Sequence, residues 1–256
     1  YLPLVEPGVL LSLKATKNGE GILYDSFAGC WCLTVRAYLA ILTGKWEMLL
    51  SCISSEHWYF DRYVRHMECY GTPMDTYKAV DSEGILAFIR LAVMLHRETG
   101  EDVFLIHLRT AMEYEFSFKF CWNVPIQVPP LSRNGWSSSG GSVTSTANHH
   151  IHPMSNGVLD ELFYLTRQDT DQYYRRRLSD AFTWGLQTYS RFDGEYDFGK
   201  KGWMSERFCY SEGLLCEQYP DGSPSSTWFF FLPWGAANLL EGMCGDLCIC
   251  RPKSAT

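Results

Sequence analysis

Two kinds of apolar pattern alternate along the chain. Residues 25–42 (DSFAGCWCLTVRAYLAIL), 85–95 (ILAFIRLAVML) and 228–240 (WFFFLPWGAANLL) are apolar almost all round. Residues 46–68, 101–120 and 171–189 carry apolar positions on one face and charged ones on the other. A helix that is apolar on every side must be buried, whereas an amphipathic one covers a core. The pattern therefore predicts buried helices, each followed by an amphipathic partner. The links within each pair are tight: Thr43-Gly44-Lys45, Thr99-Gly100-Glu101 and Asp169-Thr170-Asp171. Glycine just past a helix is the expected left-handed stop. The links back to the next buried helix are long, through 69–82, 121–155 and 190–227.

Counted with a weaker amphipathic segment at 6–17 and a less apolar one at 154–166, this makes about four helix pairs. Such pairs cannot bury their apolar faces alone and must stack. No period-2 alternation is long enough to specify a sheet, and 124–131 and 195–210 are the candidate short strands. The run Ser137-Ser138-Ser139-Gly140-Gly141-Ser142 has the composition of a linker. Trp136 before it and Asn148-His149-His150-Ile151-His152-Pro153 after it predict an ordered loop, hence one domain over residues 1–256.

Composition narrows the function classes. A formal charge of −7 argues against a nucleic-acid partner, because neutralising phosphates needs clustered cations. No apolar run reaches the length of a membrane span, so no membrane partner is expected. Cys30, Cys32, Cys52 and Cys121 fall inside helix-like runs, where a free thiol behaves as a small hydrophobe. Reduced thiols and a cytoplasmic location follow as expectations. Cys244, Cys248 and Cys250 lack a fourth ligand for a structural zinc site, and no metal or cofactor is expected. Aromatic residues make up 15 % of the chain, enough to supply sugar-stacking platforms as well as a core.

Buried and amphipathic helices in alternation, with short turns on one side and long loops on the other, resemble the (α/α) toroid of the six-hairpin glycosidase superfamily. Toroidal polysaccharide lyases share that layout. The resemblance covers most of the chain and rests on architecture rather than on a motif. It implies an all-α fold with the long loops, and any short strands, on one face. Six hairpins exceed the four counted, so the resemblance implies further ones upstream of Tyr1 and a chain that is the C-terminal part of a ring.

Glycoside hydrolysis needs one protonated and one ionised carboxyl group. Glu206 and Glu212 lie six residues apart among aromatics, and Asp75 and Asp81 lie in another long loop. These four are the candidate acid/base residues, although Asp81 also has the character of a helix cap. Asn148, His150, His152, Arg207 and Asp25 are candidates for positioning the substrate, and Trp136, Trp203 and Tyr210 for stacking on it. Helix N-termini at the same face would suit a carboxylate or sulfate on the sugar. His150 and His152 point the same way only in an extended segment, and no third ligand supports a metal there. The leading expectation is a glycoside hydrolase acting on an oligo- or polysaccharide. A lyase acting by β-elimination on a uronate-containing chain uses Asn, Arg, His and Tyr instead, types that Asn148, His150, His152, Arg207 and Tyr210 supply. A non-catalytic carbohydrate-binding module is the third reading.

Overall fold

The computed structural model describes residues 25–70, 80–145, 150–197, 199–205, 207–209, 217–228 and 233–245. It is mostly helical, with seven α-helices and six two-residue strands among these residues. The chain divides into two compact units, the first reaching Ser117 and including Ser145–Ala147, the second holding the remainder.

The first unit is two helix hairpins. Helix α1 (Asp25–Thr43) turns into α2 (Trp46–Arg62), and α3 (Glu83–Thr99) turns into α4 (Asp102–Phe116). Both turns use the same chemistry. Gly44 and Gly100 take positive φ values of 65° and 72°, which an L side chain adopts at a cost. Just before them, the hydroxyls of Thr43 and Thr99 donate back to Leu39 O (2.6 Å) and Leu95 O (2.9 Å). Helix α3 is the axis of the unit and packs against both α1 and α4. Its residues Ile85 to Ile89, Leu91 to Val93 and Leu95 are all buried, as a helix apolar on every side requires. The Thr34 hydroxyl of α1 reaches Ala87 O of α3 at 3.0 Å, tying the two helices through a buried hydrogen bond.

Helix α1 departs from the expectation. Cys30, Leu33, Ala37 and Ala40 form a buried stripe, yet Val35, Tyr38 and Leu42 are exposed. Among the described residues α1 is buried on one side only.

In the second unit α5 (Leu159–Gln168) and α6 (Gln172–Gly185) form a third hairpin, and α7 (Pro233–Cys244) packs on α5. Asp171 caps α6 by accepting the Tyr173 N–H at 2.8 Å. Segment 154–166 begins as a 3-10 turn over Pro153–Val158 and becomes α-helical at Leu159. Segment 228–240 is likewise shifted: Thr227–Trp228 is a strand and the helix opens at Pro233, whose missing N–H costs nothing in a first turn. Helix α7 approaches the 3-10 turn so closely that a Cβ on Gly242 would lie 1.7 Å from Asn156 O.

The strands β1 (Ser142–Val143), β2 (Ile151–His152), β3 (Arg207–Phe208) and β6 (Thr227–Trp228) make one antiparallel sheet in the order β1-β2-β3-β6. Strands β4 (Glu217–Gln218) and β5 (Pro224–Ser225) pair separately. The sheet joins the loop before α5 to the loop between α6 and α7, so the two long loops of this unit meet. Residues 124–131 form no strand; that stretch instead contributes Ile126, Val128 and Leu131 to the core. The remaining core is aromatic: Trp136 stacks on Phe208 at 5.0 Å, and Trp184 meets both edge-on.

Candidate functional site

Strand register sets the site in the second unit. Ile151 lies opposite Phe208, and both face the aromatic core. Side chains alternate along a strand, so their neighbours His152 and Arg207 take the other face. Cross-strand partners share a face. Ser142 is opposite His152, Lys119 bridges Ser142, and Trp228 is opposite Arg207. The result is a row Lys119–Ser142–His152–Arg207 across the sheet. Lys119 Nζ, itself buried, donates to Ser142 Oγ at 2.9 Å and to Gly140 O at 3.3 Å.

The Ser/Gly run that supports this row is ordered, as expected. Ser138 accepts the Val124 N–H on its Oγ at 2.7 Å and gives its own N–H to Asn123 Oδ1 at 3.0 Å. Gly140 has φ +92° and leaves no room for a Cβ, which would lie 2.1 Å from Asp180 O. From the other side Ser205 Oγ donates to Arg207 O at 2.7 Å.

His152 is buried, and burial pushes its imidazole down to about 3, with the Arg207 guanidinium and the His150 ring acting in the same direction. The ring is therefore neutral at ordinary pH. A neutral imidazole beside a guanidinium, with a lysine in the same row, is a donor set for an anion. His150 is less buried than His152 and two residues before it, consistent with the extended backbone of β2.

Of the sequence candidates, the structure brings together His150, His152 and Arg207. Trp136 is a core residue and no stacking platform. It is 5 % exposed and holds the centre of the aromatic core, so it offers no face to a sugar. Trp203 is partly buried against the same cluster. Asp81, in the first unit, is 1 % exposed, and its Oδ1 accepts the Glu83 N–H at 2.5 Å at the start of α3. Its main-chain N–H donates to Cys69 O at 3.0 Å, and its carbonyl accepts from the Tyr114 hydroxyl at 3.1 Å. Those bonds give Asp81 a capping role. Glu206, Glu212, Asp75, Asn148 and Tyr210 lie outside the described residues, as does the Asp25 side chain.

Three further ionisable residues, none of them predicted from sequence, cluster in the first unit. Glu56 and His57 on α2 and His107 on α4 place a carboxylate and two imidazoles within 4.8 Å of one another. Glu56 Oε1 meets His107 Nδ1 at 2.9 Å, and Oε2 lies 3.2 Å from His57 Nδ1. The available signal was position. Glu56 continues the apolar stripe of Met48, Leu49, Cys52, Tyr59 and Phe60, and His107 that of Phe104, Leu108 and Ala111. Ionisable residues on a core-facing stripe are rarely there for packing.

A cavity of about 500 Å³ opens beside the α5–α6 turn, lined by residues such as Phe163, Arg167, Asp169 and Arg175. It contains none of the candidate residues. The seven cysteines among the described residues are all free. None of the described helices is long and apolar enough to cross a membrane. Comparison with protein-family models, with curated proteins and with solved structures returns no match.

Proposed function

We propose that the protein cleaves an acidic polysaccharide, with Arg207, the half-buried end of the Lys119–Ser142–His152–Arg207 row, receiving a sugar carboxylate. The observation that carries this reading is the row itself: two cationic side chains and a neutral imidazole aligned on one sheet face by strand register. The regular alternation of short and long links supports an (α/α) ring of hairpins, an architecture suited to long sugar chains.

The residues present fit β-elimination on a uronate. Arg207 pairs with the carboxylate and stabilises the charge that builds on it as the neighbouring C–H is deprotonated. His150, half-buried like Arg207, accepts that proton, while the buried His152 stays neutral beside Arg207. The electron pair of the broken C–H bond forms the new C=C bond as the C–O bond to the leaving sugar breaks. The leaving oxygen then takes up the proton that His150 accepted, which returns the base to its starting form.

Hydrolysis by a carboxyl pair is the second reading, carried by Glu206 and Glu212, which flank Arg207 and Phe208 in the chain. The products separate the two. Incubation with a panel of polyuronates should release fragments whose new non-reducing ends carry an ultraviolet-absorbing unsaturated uronate. Reducing ends without that absorbance would replace elimination by hydrolysis. Arg207→Ala should lower turnover of the acidic polymer at least about 100-fold, the scale of losing one oxyanion-stabilising group. Cleavage confined to neutral glucans, unaffected by Arg207→Ala, would overturn the anionic-site reading.

A further inference from the structure

We infer that Glu56, His57 and His107 form a binding site for a divalent transition-metal ion of the zinc class, clipping α2 to α4 in the first unit. The site is separate from the sheet row and does not depend on the proposed polysaccharide chemistry.

The geometry is that of metal ligands. A mixed set of two imidazole nitrogens and one carboxylate, with a further position open to water, suits zinc and its neighbours. Tetrahedral ligands about 2.1 Å from a shared ion stand roughly 3.4 Å apart, so ligands already in place need move only a few tenths of an ångström. The two Glu–His separations are 2.9 and 3.2 Å. Both imidazoles present Nδ1 to the same carboxylate, one to each oxygen.

The rings are held ready. His107 stacks on Phe60 at 3.6 Å and 12°, and His57 stacks on Phe104 at 5.6 Å and 8°. The two imidazoles are thereby fixed nearly perpendicular, at 86°, with the carboxylate between them. Such locking of ligand orientation is what a metal site requires of its surroundings.

The carboxylate itself calls for a cation. Glu56 is 0 % exposed, and its Oε2 lies near His57 without a hydrogen bond of acceptable geometry. A buried carboxylate with one oxygen unsatisfied is costly, and an ion is among the groups that resolve such a deficit. Access is provided by His57, whose side chain is 42 % exposed. An ion reaching the carboxylate from solvent passes along that ring and retains water on the open side.

The test uses the full chain, stripped with chelator, and titrated with Zn²⁺ by calorimetry and with Co²⁺ by absorption. The wild type should bind one more equivalent than His57→Ala, or bind it at least about 100-fold more tightly. The difference cobalt spectrum should show weak ligand-field bands without the strong near-ultraviolet absorption of thiolate ligands. Glu56→Gln should lose the same equivalent. Should that variant fail to fold, His57→Ala alone decides, since its ring is partly exposed. Equal uptake by wild type and His57→Ala, no uptake by either, or a difference spectrum dominated by thiolate bands would each overturn the site.

Discussion

The two units place their polar groups by different means. In the first unit, regular helices do the positioning. Glu56 and His57 are consecutive on α2, His107 projects from α4, and stacked aromatic rings from the same two helices hold them in place. In the second unit, the key residues stand on strands of only two residues, too short to be stable alone. Their geometry is borrowed from the aromatic cluster beneath, where Ile151 and Phe208 anchor the sheet to Trp136 and Trp184. Strands of two residues have little stability of their own, so a site on them depends on the core that holds them. The second unit should therefore be the one in which a distant core substitution disturbs the chemistry.

That contrast is most exposed at Trp184. The ring is 1 % exposed and touches both Trp136 and Phe208. A Cβ on Gly141 would already lie 2.5 Å from its Nε1, so the backbone is moulded to the indole. Trp184→Ala should lower stability by about 3–5 kcal/mol, the usual cost of emptying a large aromatic site. Denaturant unfolding measures this directly. The same variant should leave the zinc stoichiometry of Glu56, His57 and His107 unchanged while abolishing the proposed polysaccharide cleavage. A loss below about 1 kcal/mol would mean that the strands do not depend on their core.

The same contrast explains what could be read from the residues alone. The three tight turns were legible because their chemistry is local: a positive φ fits Gly44 and Gly100, and Asp171 is a cap. Helices α1 to α4 were legible because helical periodicity persists over many residues. A two-residue strand has no periodicity, so β2 and β3 gave no signal beyond the candidate range 195–210. Trp136 shows a second limit. An indole between a loop and a Ser/Gly run suits a sugar platform and a core equally well, and only the register of Phe208 puts it in the core. The Glu56–His57–His107 cluster spans α2 and α4 and obeys no motif spacing. It shows only as ionisable residues on apolar stripes.

A second measurement separates the units through pH. His152 titrates at about 3 in the folded chain, against an ordinary value of 6.5. Between these values the unfolded chain holds a proton that the folded chain lacks. Stability supplied by the neutral ring is thus complete above pH 6.5 and falls as pH drops through the window, by about 1.4 kcal/mol per unit. His152→Gln removes this dependence. The difference between wild type and variant should change by roughly 3 kcal/mol between pH 6.5 and pH 4 in denaturant unfolding. Arg207 and His150 act on the same ring, so Arg207→Gln should raise the folded value and end the fall in stability at a higher pH. A pH-independent difference would show that His152 is not buried as a neutral ring.

The smallest effect concerns the tyrosines that strap irregular segments in each unit. The Tyr114 hydroxyl shares its proton between Cys69 O and Asp81 O, both at 3.1 Å, and so ties residues 33 and 45 positions away to α4. The Tyr196 hydroxyl donates to Gln187 O at 2.7 Å, only nine positions away. Burial raises both phenols above their ordinary value, with nearby acidic groups adding to it, so neither strap weakens at moderately alkaline pH. Tyr114→Phe should cost about 1.5 kcal/mol and Tyr196→Phe about 1 kcal/mol, within the range for buried hydrogen bonds. Both costs should be the same at pH 6 and pH 9. The order matters more than the size. Loss of the Tyr114 strap releases the residues that precede α3, including the Asp81 cap, whereas the Tyr196 strap closes a short turn whose backbone is also held by Ser190 N–H on Trp203 O at 2.8 Å. A larger cost at Tyr196 than at Tyr114 would show that the second unit depends on its hydrogen-bonded turns as well as on its aromatic core.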